Sequence, residues 1–246
     1  MYKQDIYEIR SNEPLTASVF RMVLAGDTQW IAAPGQFVNV ALAGRYLRRP
    51  ISVCDWDGRT LTLIYKVVGD GTEQMSRMRP GERLDLLTGL GNGFRTDVPA
   101  ERPLLVGGGV GVPPLYNLAK RLIAAGRPTT VVLGFNTATE VFYAEEFRAL
   151  GAGVFVATAD GTMGTAGFVT AAIEANDLRC DYFYACGPLP MLRALCDAVA
   201  ADGQLSFEER MGCGFGGCMG CTCKTKYGNK RICKEGPVLT KEEIVW

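Results

Sequence analysis

The chain has 246 residues, room for about two small domains at one per ~100–200 residues, and 48% of them are hydrophobic, enough for a sizeable core. Basic and acidic residues balance at 26 each, which excludes the broadly basic surface that nucleic-acid binding needs. Histidine is absent, so no Ser-His-Asp or Cys-His nucleophile and no histidine-ligated zinc or haem is available, and any chemistry is expected to rest on cofactors.

The N-terminal stretch MYKQDIYEIRSNEPL lacks the apolar core of a signal peptide. No run of ~18 apolar residues occurs that would span a membrane. The reading therefore expects a cytoplasmic chain with no membrane partner. In a reducing compartment nine cysteines are not a disulfide framework. Cys54, Cys180, Cys186 and Cys196 are scattered in the manner of small buried hydrophobes, while the other five crowd together near the end.

Residues 1–99 read as β-rich. ASVFRMVLA, GQFVNVAL, RPISVCDW, TLTLIYKVVG and GERLDLLTGLGNGF are β-branched and apolar, with APG, DWDG and GDG between them. Five or six short strands at this spacing predict an antiparallel barrel or sandwich. GTEQMSRMRPG carries no strand pattern and is expected to be a short helix capping one end of the barrel. Within RRPIS, an arginine fork suits a pyrophosphate and a neighbouring serine can donate to it or to a flavin ring, although a solvated surface arginine is the plainer reading.

Over 100–205 the texture changes. The strand patterns PLLVGGG, TTVVLGF, GVFVATAD and DYFYACG alternate with helical ones such as PPLYNLAKRLIAAG, EEFRALGA and LPMLRALCDAVAADG. That alternation predicts a parallel sheet covered on both faces. In VGGGVGVPP, Gly108 precedes Gly109-x-Gly111-x-x-Pro114, a dinucleotide fingerprint ending in proline between a strand and a helix. Glycines there let the backbone approach a pyrophosphate, and the helix start offers free N–H groups. Cys186, Gly187 and Pro188 repeat the pattern at the fourth strand, where an ordinary turn is an equal alternative. The second strand ends GFNTATE with no acid at its tip, Glu140 lying further on. No Lys or Arg lies between Thr129 and Phe147 to meet a 2′-phosphate, which favours NADH over NADPH.

Residues 206–246 contain the cysteine run. Cys213-x4-Cys218-x2-Cys221, with Cys233 beyond, has the plant-type spacing of a [2Fe–2S] cluster. A structural zinc would want a second Cys pair, and a redox dithiol would begin a helix beside a βαβ unit; both fit less well. Cys223 is surplus to the spacing. Lys224, Lys226, Lys230, Arg231 and Lys234 follow with no acid among them, placed either to stabilise a negatively charged cluster or simply to be solvated.

The order RRPIS, GDGT, GGGVGVPP, CGPLPML resembles the ferredoxin–NADP reductase superfamily over about residues 1–204. With ERMGCGFGGCMGCTC directly after the last α/β helix, essentially the whole chain resembles the family of class 1B dihydroorotate dehydrogenase electron-transfer subunits. The resemblance implies FAD in the barrel, NAD(H) as co-substrate in the α/β domain, and one [2Fe–2S] cluster in the C-terminal segment. It places FAD on Arg49, Pro50, Ile51, Ser52, Ile64, Tyr65, Lys66, Gly71 and Thr72, with Ile51 standing where the superfamily more often has an aromatic. It implies an FMN-containing catalytic partner that oxidises dihydroorotate, in a heterotetramer of two of each, and no catalytic acid, base or nucleophile in this chain. The alternatives are a flavoprotein subunit of sulfide-dehydrogenase or transhydrogenase type, and, in another class, a zinc-stabilised nucleotide-binding regulatory protein.

Overall fold

Alternating apolar residues close the first part of the chain into a barrel. In the computed structural model, which describes residues 2–246, its strands are β1 (Lys3–Pro14), β2 (Val19–Ala25), β3 (Phe37–Val40), β4 (Arg49–Trp56) and β5 (Thr60–Lys66). Helix α1 (Asp70–Ser76) and strand β6 (Arg83–Leu90) complete it. The strands join antiparallel in the order β1-β2-β5-β4-β3-β6 and close on themselves, which removes exposed sheet edges. Val38 and Val40 of β3, Val53 of β4 and Leu61, Leu63 and Tyr65 of β5 point into the core. Met75 of α1 is buried in that core, so the short helix does cap the barrel.

The second part alternates as expected. Strands β7 (Pro103–Gly108), β8 (Thr130–Phe135), β9 (Gly153–Thr158), β10 (Thr165–Ala166), β11 (Tyr182–Cys186) and β12 (Asp202–Ser206) pair in parallel, with helices α2 (Pro114–Ala124), α3 (Ala144–Ala149), α4 (Val169–Ala175) and α5 (Leu189–Ala198) between them. After a hairpin of β13 (Thr222–Thr225) and β14 (Gly228–Arg231), strand β15 (Val238–Thr240) joins the far edge, giving the order β10-β9-β8-β7-β11-β12-β15. Three of these strands, β10, β12 and β15, lie outside the four expected from the sequence.

Two compact units result: residues up to Gly93 with Glu208–Val238, and Phe94–Phe207 with Leu239–Trp246. The cysteine-bearing stretch therefore packs with the barrel, and the last residues return to the α/β unit. No helix among the described residues is long and apolar enough to cross a membrane.

Candidate functional site

The loop before β13 has no regular secondary structure, because glycines bend it repeatedly. Gly214 (φ +78°) and Gly216 (φ +92°) take left-handed conformations that turn backbone N–H groups toward sulfur. Cys213 Sγ accepts from Gly217 N at 3.2 Å and Cys218 N at 3.4 Å, and Cys218 Sγ accepts from Gly220 N at 3.5 Å. The β13–β14 hairpin then acts as a spacer that doubles the chain back. Ile232 N donates to Cys221 O at 3.1 Å and Cys233 N to Cys221 Sγ at 3.4 Å.

Backbone donors group the cysteines in two pairs: Cys218 N donates to Cys213 Sγ and Cys233 N to Cys221 Sγ. Cys221 and Cys233 are buried, and Cys218 is exposed. Burial pushes the Cys213 thiol up, but N–H donation from Phe215, Cys218 and Gly217 outweighs it and brings the group down to about 6. Burial, the Cys221 bond and the charges of Cys221 and Cys213 push Cys233 up to about 12. Four cysteine sulfurs gathered around one glycine-rich loop are a donor set that fits an iron–sulfur group. Among the described residues no three Cys, Asp or Glu side chains converge on one ion position. Two pairs suit two irons with two thiolates each better than one tetrahedral zinc.

Cys223 lies on β13 opposite Lys230. The expected belt of free cations needs one correction. Arg231 is committed to Glu235, just beyond the stretch that lacked acids: its Nε donates to Glu235 Oε2 at 3.0 Å and its Nη1 to Gly216 O at 2.5 Å. It ties the hairpin to the cysteine loop rather than offering a free charge. The Lys234 stem packs on Gly216, where an added Cβ would fall 2.5 Å from its Cδ.

In the barrel, β4 pairs with β3 so that Ser52 faces Phe37, Ile51 faces Val38 and Pro50 faces Asn39. Directly paired residues share a face, so Pro50 and Ser52 point outward with Asn39. Ile51 packs against the barrel core. Arg49 lies across the start of α1: a Cβ on Gly71 would fall 2.3 Å from its Nε, so a side chain there would push the guanidinium aside. Arg49 and Gly71, 22 positions apart in sequence, are thus in contact. At three of the expected FAD positions the side chain is engaged within the protein. Tyr65 is buried in the core with its hydroxyl on Asn12 Oδ1 at 2.9 Å, and burial pushes its phenol up to about 12. Ile64 is buried too, so these two leave only backbone for a ligand, while Lys66 is partly exposed. Thr72 Oγ1 accepts from Val68 N at 2.9 Å and donates to Gly69 O at 2.9 Å, so its hydroxyl holds the turn.

In the α/β unit the two glycine-proline turns are one site. Gly107 and Cys186 are register partners on adjacent strands β7 and β11. A Cβ on Gly111 would fall 2.2 Å from Cys186 O, and one on Gly108 would fall 2.6 Å from Met191 Sδ and 3.1 Å from Pro188. These glycines let the turns pack on each other. Gly109 (φ +52°) has open space above it, and Pro114 opens α2. Gly187 lies within the same packed turn, 3.1 Å from Gly108 N if given a Cβ. Ligands bind at such carboxyl ends of parallel strands.

The absence of an acid at the tip of β8 is a second correction. A 3-10 turn over Ala138–Glu140 folds Glu140 back, and its Oε2 accepts from Asn136 Nδ2 at 2.8 Å and Asn136 N at 3.3 Å. Asn-x3-Glu after the strand was the available signal.

Two of these segments, and the chain as a whole, match known proteins. Residues 208–245 match the family described as the iron-sulfur cluster binding domain of dihydroorotate dehydrogenase B, and residues 105–197 match the oxidoreductase NAD-binding domain. The dihydroorotate dehydrogenase B (NAD(+)) electron transfer subunit of Geobacillus sp. (strain WCH70) is 44% identical over all of both chains. That of Geobacillus kaustophilus (strain HTA426) is 46% identical over 96% of each. A solved structure of the NADH-dependent reduced ferredoxin-NADP oxidoreductase superposes with a TM-score of 0.89 at 30% identity, covering 98% of this chain and 90% of that one. With its barrel, its two-turn nucleotide site and its four gathered thiols, the chain belongs to the family of dihydroorotate dehydrogenase B (NAD(+)) electron transfer subunits.

Proposed function

We propose that this chain carries electrons between an FMN-containing, dihydroorotate-oxidising partner subunit and NAD⁺, in a heterotetramer of two of each. The observation that carries the reading is that the cysteine loop sits on the barrel, its Cys213 carbonyl held by Asn39 on the strand paired with Arg49–Ser52. Cys213, Cys218, Cys221 and Cys233 hold the [2Fe–2S] cluster. Arg49 and Gly71 receive the FAD pyrophosphate, Pro50 and Ser52 face the flavin, and Thr72 shapes the turn. Gly109, Pro114 and the Cys186–Pro188 turn receive NAD(H), with Glu140 and Asn136 at the ribose. FAD, when bound, exchanges two electrons with nicotinamide and one at a time with an iron–sulfur centre. The chain's own residues need only bind, orient and exclude water.

The exposed edge of the cysteine loop supports a partner on that side. Cys218 is exposed, as are Phe215 and Met219, and Tyr2 lies tilted against Phe215 with ring centroids 5.4 Å apart. Anaerobic co-purification with the catalytic subunit, followed by iron, sulfide and flavin analysis, tests the reading. Two irons and two sulfides per chain, one FAD, and bleaching by NADH are expected. Stoichiometric zinc without flavin sinks it. The likeness to the NADH-dependent reduced ferredoxin-NADP oxidoreductase favours a second reading, a transhydrogenase-type subunit; recovery of an active complex lacking a dihydroorotate-oxidising subunit would select that one.

A further inference from the structure

Beneath the cysteine loop the barrel's outer face carries a buried amide. Asn39 lies on β3 between Val38 and Val40, whose side chains fill the core, so its own points outward. It is 1% exposed. Its backbone pairs with Pro50 of β4 on one side and with Leu87 of β6 on the other. Its Nδ2 donates to the carbonyl of Cys213 at 3.2 Å. The approach needs glycine at 214, because a Cβ there would fall 2.2 Å from that nitrogen.

The peptide carrying this side chain is itself held. Asn39 O accepts from Arg48 Nη1 at 3.2 Å, and the Arg48 guanidinium is forked onto Asp85 at 2.9 and 3.0 Å. Asn39 Oδ1 is buried with no hydrogen-bond partner. An orphaned buried acceptor is a net cost to folding, which a leucine of similar volume would avoid. Turning the amide over would set two acceptors against each other at Cys213 O. Packing alone therefore disfavours asparagine here, and what the amide gains is its bond to the Cys213 peptide.

We propose that Asn39 is a positioning residue that holds the Cys213 peptide on the β3–β4 strand pair, fixing the cluster loop relative to the flavin-binding strand and tuning the cluster's potential. The proposal rests on reading Cys213 as a ligand and β4 as the flavin strand. Its physical route is indirect. Gly217 N and Cys218 N donate to Cys213 Sγ, and that set depends on where the Cys213 peptide sits. Hydrogen bonds to ligand sulfur and solvent exposure are the levers that set iron–sulfur potentials.

The test uses the full chain co-purified with its catalytic partner, comparing Asn39→Leu and Asn39→Asp with the parent. Iron, sulfide and FAD content, the EPR spectrum of the reduced cluster, its midpoint potential, the rate of its reduction by NADH, and melting temperature are measured. Asn39→Leu should keep FAD and melt at or above the parent temperature, yet shift the EPR spectrum and potential and slow cluster reduction about ten-fold. Asn39→Asp keeps the shape but puts a carboxylate at the carbonyl, and should move the potential further negative or lose the cluster while retaining FAD. Parental spectra, potential and rate in both variants overturn the proposal, even if melting temperature falls. Loss of FAD from both overturns it too, since Asn39 would then be a folding residue. A parent without iron sinks the underlying reading, a result separate from either.

Discussion

Replacing Glu235 by glutamine tests how the cysteine loop is kept shut. Arg231 N and Nε donate to Glu235 Oε2 at 2.9 and 3.0 Å, while Arg231 Nη1 reaches Gly216 O. The bond to Arg231 holds the Glu235 carboxyl at about 2, against an ordinary 4.5. At ~1.36 kcal/mol per pH unit that fall sets a ceiling of roughly 3.4 kcal/mol. The two side chains are 22% and 36% exposed, so water screens the pair and ~1–2 kcal/mol remains. A carboxyl whose pKa is depressed in the folded state stabilises fully above 4.5 and loses its contribution as pH falls from there toward 2. If opening of the loop limits cluster loss, Glu235→Gln should bleach about 5–30 times faster at pH 7 in the presence of an iron chelator. The ratio of variant to parent rates should then shrink toward one as pH drops below 4.5, because the parent carboxyl protonates whenever the loop opens. Visible absorbance follows both. A ratio within two-fold at pH 7, or one that does not change with pH, refutes the reasoning.

Three further outcomes are expected. Cys223→Ser should retain its iron and sulfide and Cys233→Ser should lose them, since Cys233 is buried beside Cys221 whereas Cys223 lies on the hairpin opposite Lys230; equal metal content in the two would contradict the ligand assignment. Gly71→Ala sets a methyl against the Arg49 guanidinium and displaces it, so FAD should bind at least about ten-fold more weakly in a fluorescence titration. Gly58→Ala, with open space above it, is the control, and unchanged FAD affinity in Gly71→Ala would remove Arg49 from the proposed FAD site. Glu140→Gln should raise KM for NADH about ten-fold in an artificial-acceptor assay and narrow the preference over NADPH, as expected for a carboxylate on a ribose hydroxyl; an unmoved preference would place the ribose elsewhere.

The cysteine spacing was legible because ligand geometry constrains positions directly, and the hairpin between Cys221 and Cys233 is what the long last interval encodes. The four central parallel strands were legible as continuous apolar runs. β1 was not, because KQDIYEIRSNEP buries only Tyr7 and Ile9 among polar neighbours. β12 was hidden for a different reason: DGQLS has little β propensity, and its place comes from pairing with β11. The glycine fingerprint was recognised but its division of labour was not. That Gly108 and Gly111 are demanded by Met191 and Cys186 depends on contacts some 75 residues or more away in sequence. Glu140 was read by distance along the chain and Glu235 lay just outside the stretch considered, whereas one turn brings each onto its partner. The resemblance sets Tyr65 on the FAD-binding strand, while strand alternation with Leu61 and Leu63 puts its side chain inside.

The two adjacent arginines of RRPIS show how the barrel serves both cofactors from one strand end. Arg48 is forked onto Asp85 of β6 and donates to Asn39 O, so its charge is spent on the strand that carries the cysteine loop. Arg49, one position on, lies over Gly71 at the start of α1. An arginine fork on a carboxylate is geometrically saturated and has little left for a ligand, whereas Arg49 commits Nη1 to the Leu47 carbonyl rather than a fork to a carboxylate. Neither role transfers to lysine, which lacks the planar fork. A chain without histidine that moves electrons needs little acid–base chemistry and much fixed geometry. Arg48 supplies it to the peptide beneath Cys213, and in the function proposed above Arg49 supplies it to the flavin's pyrophosphate.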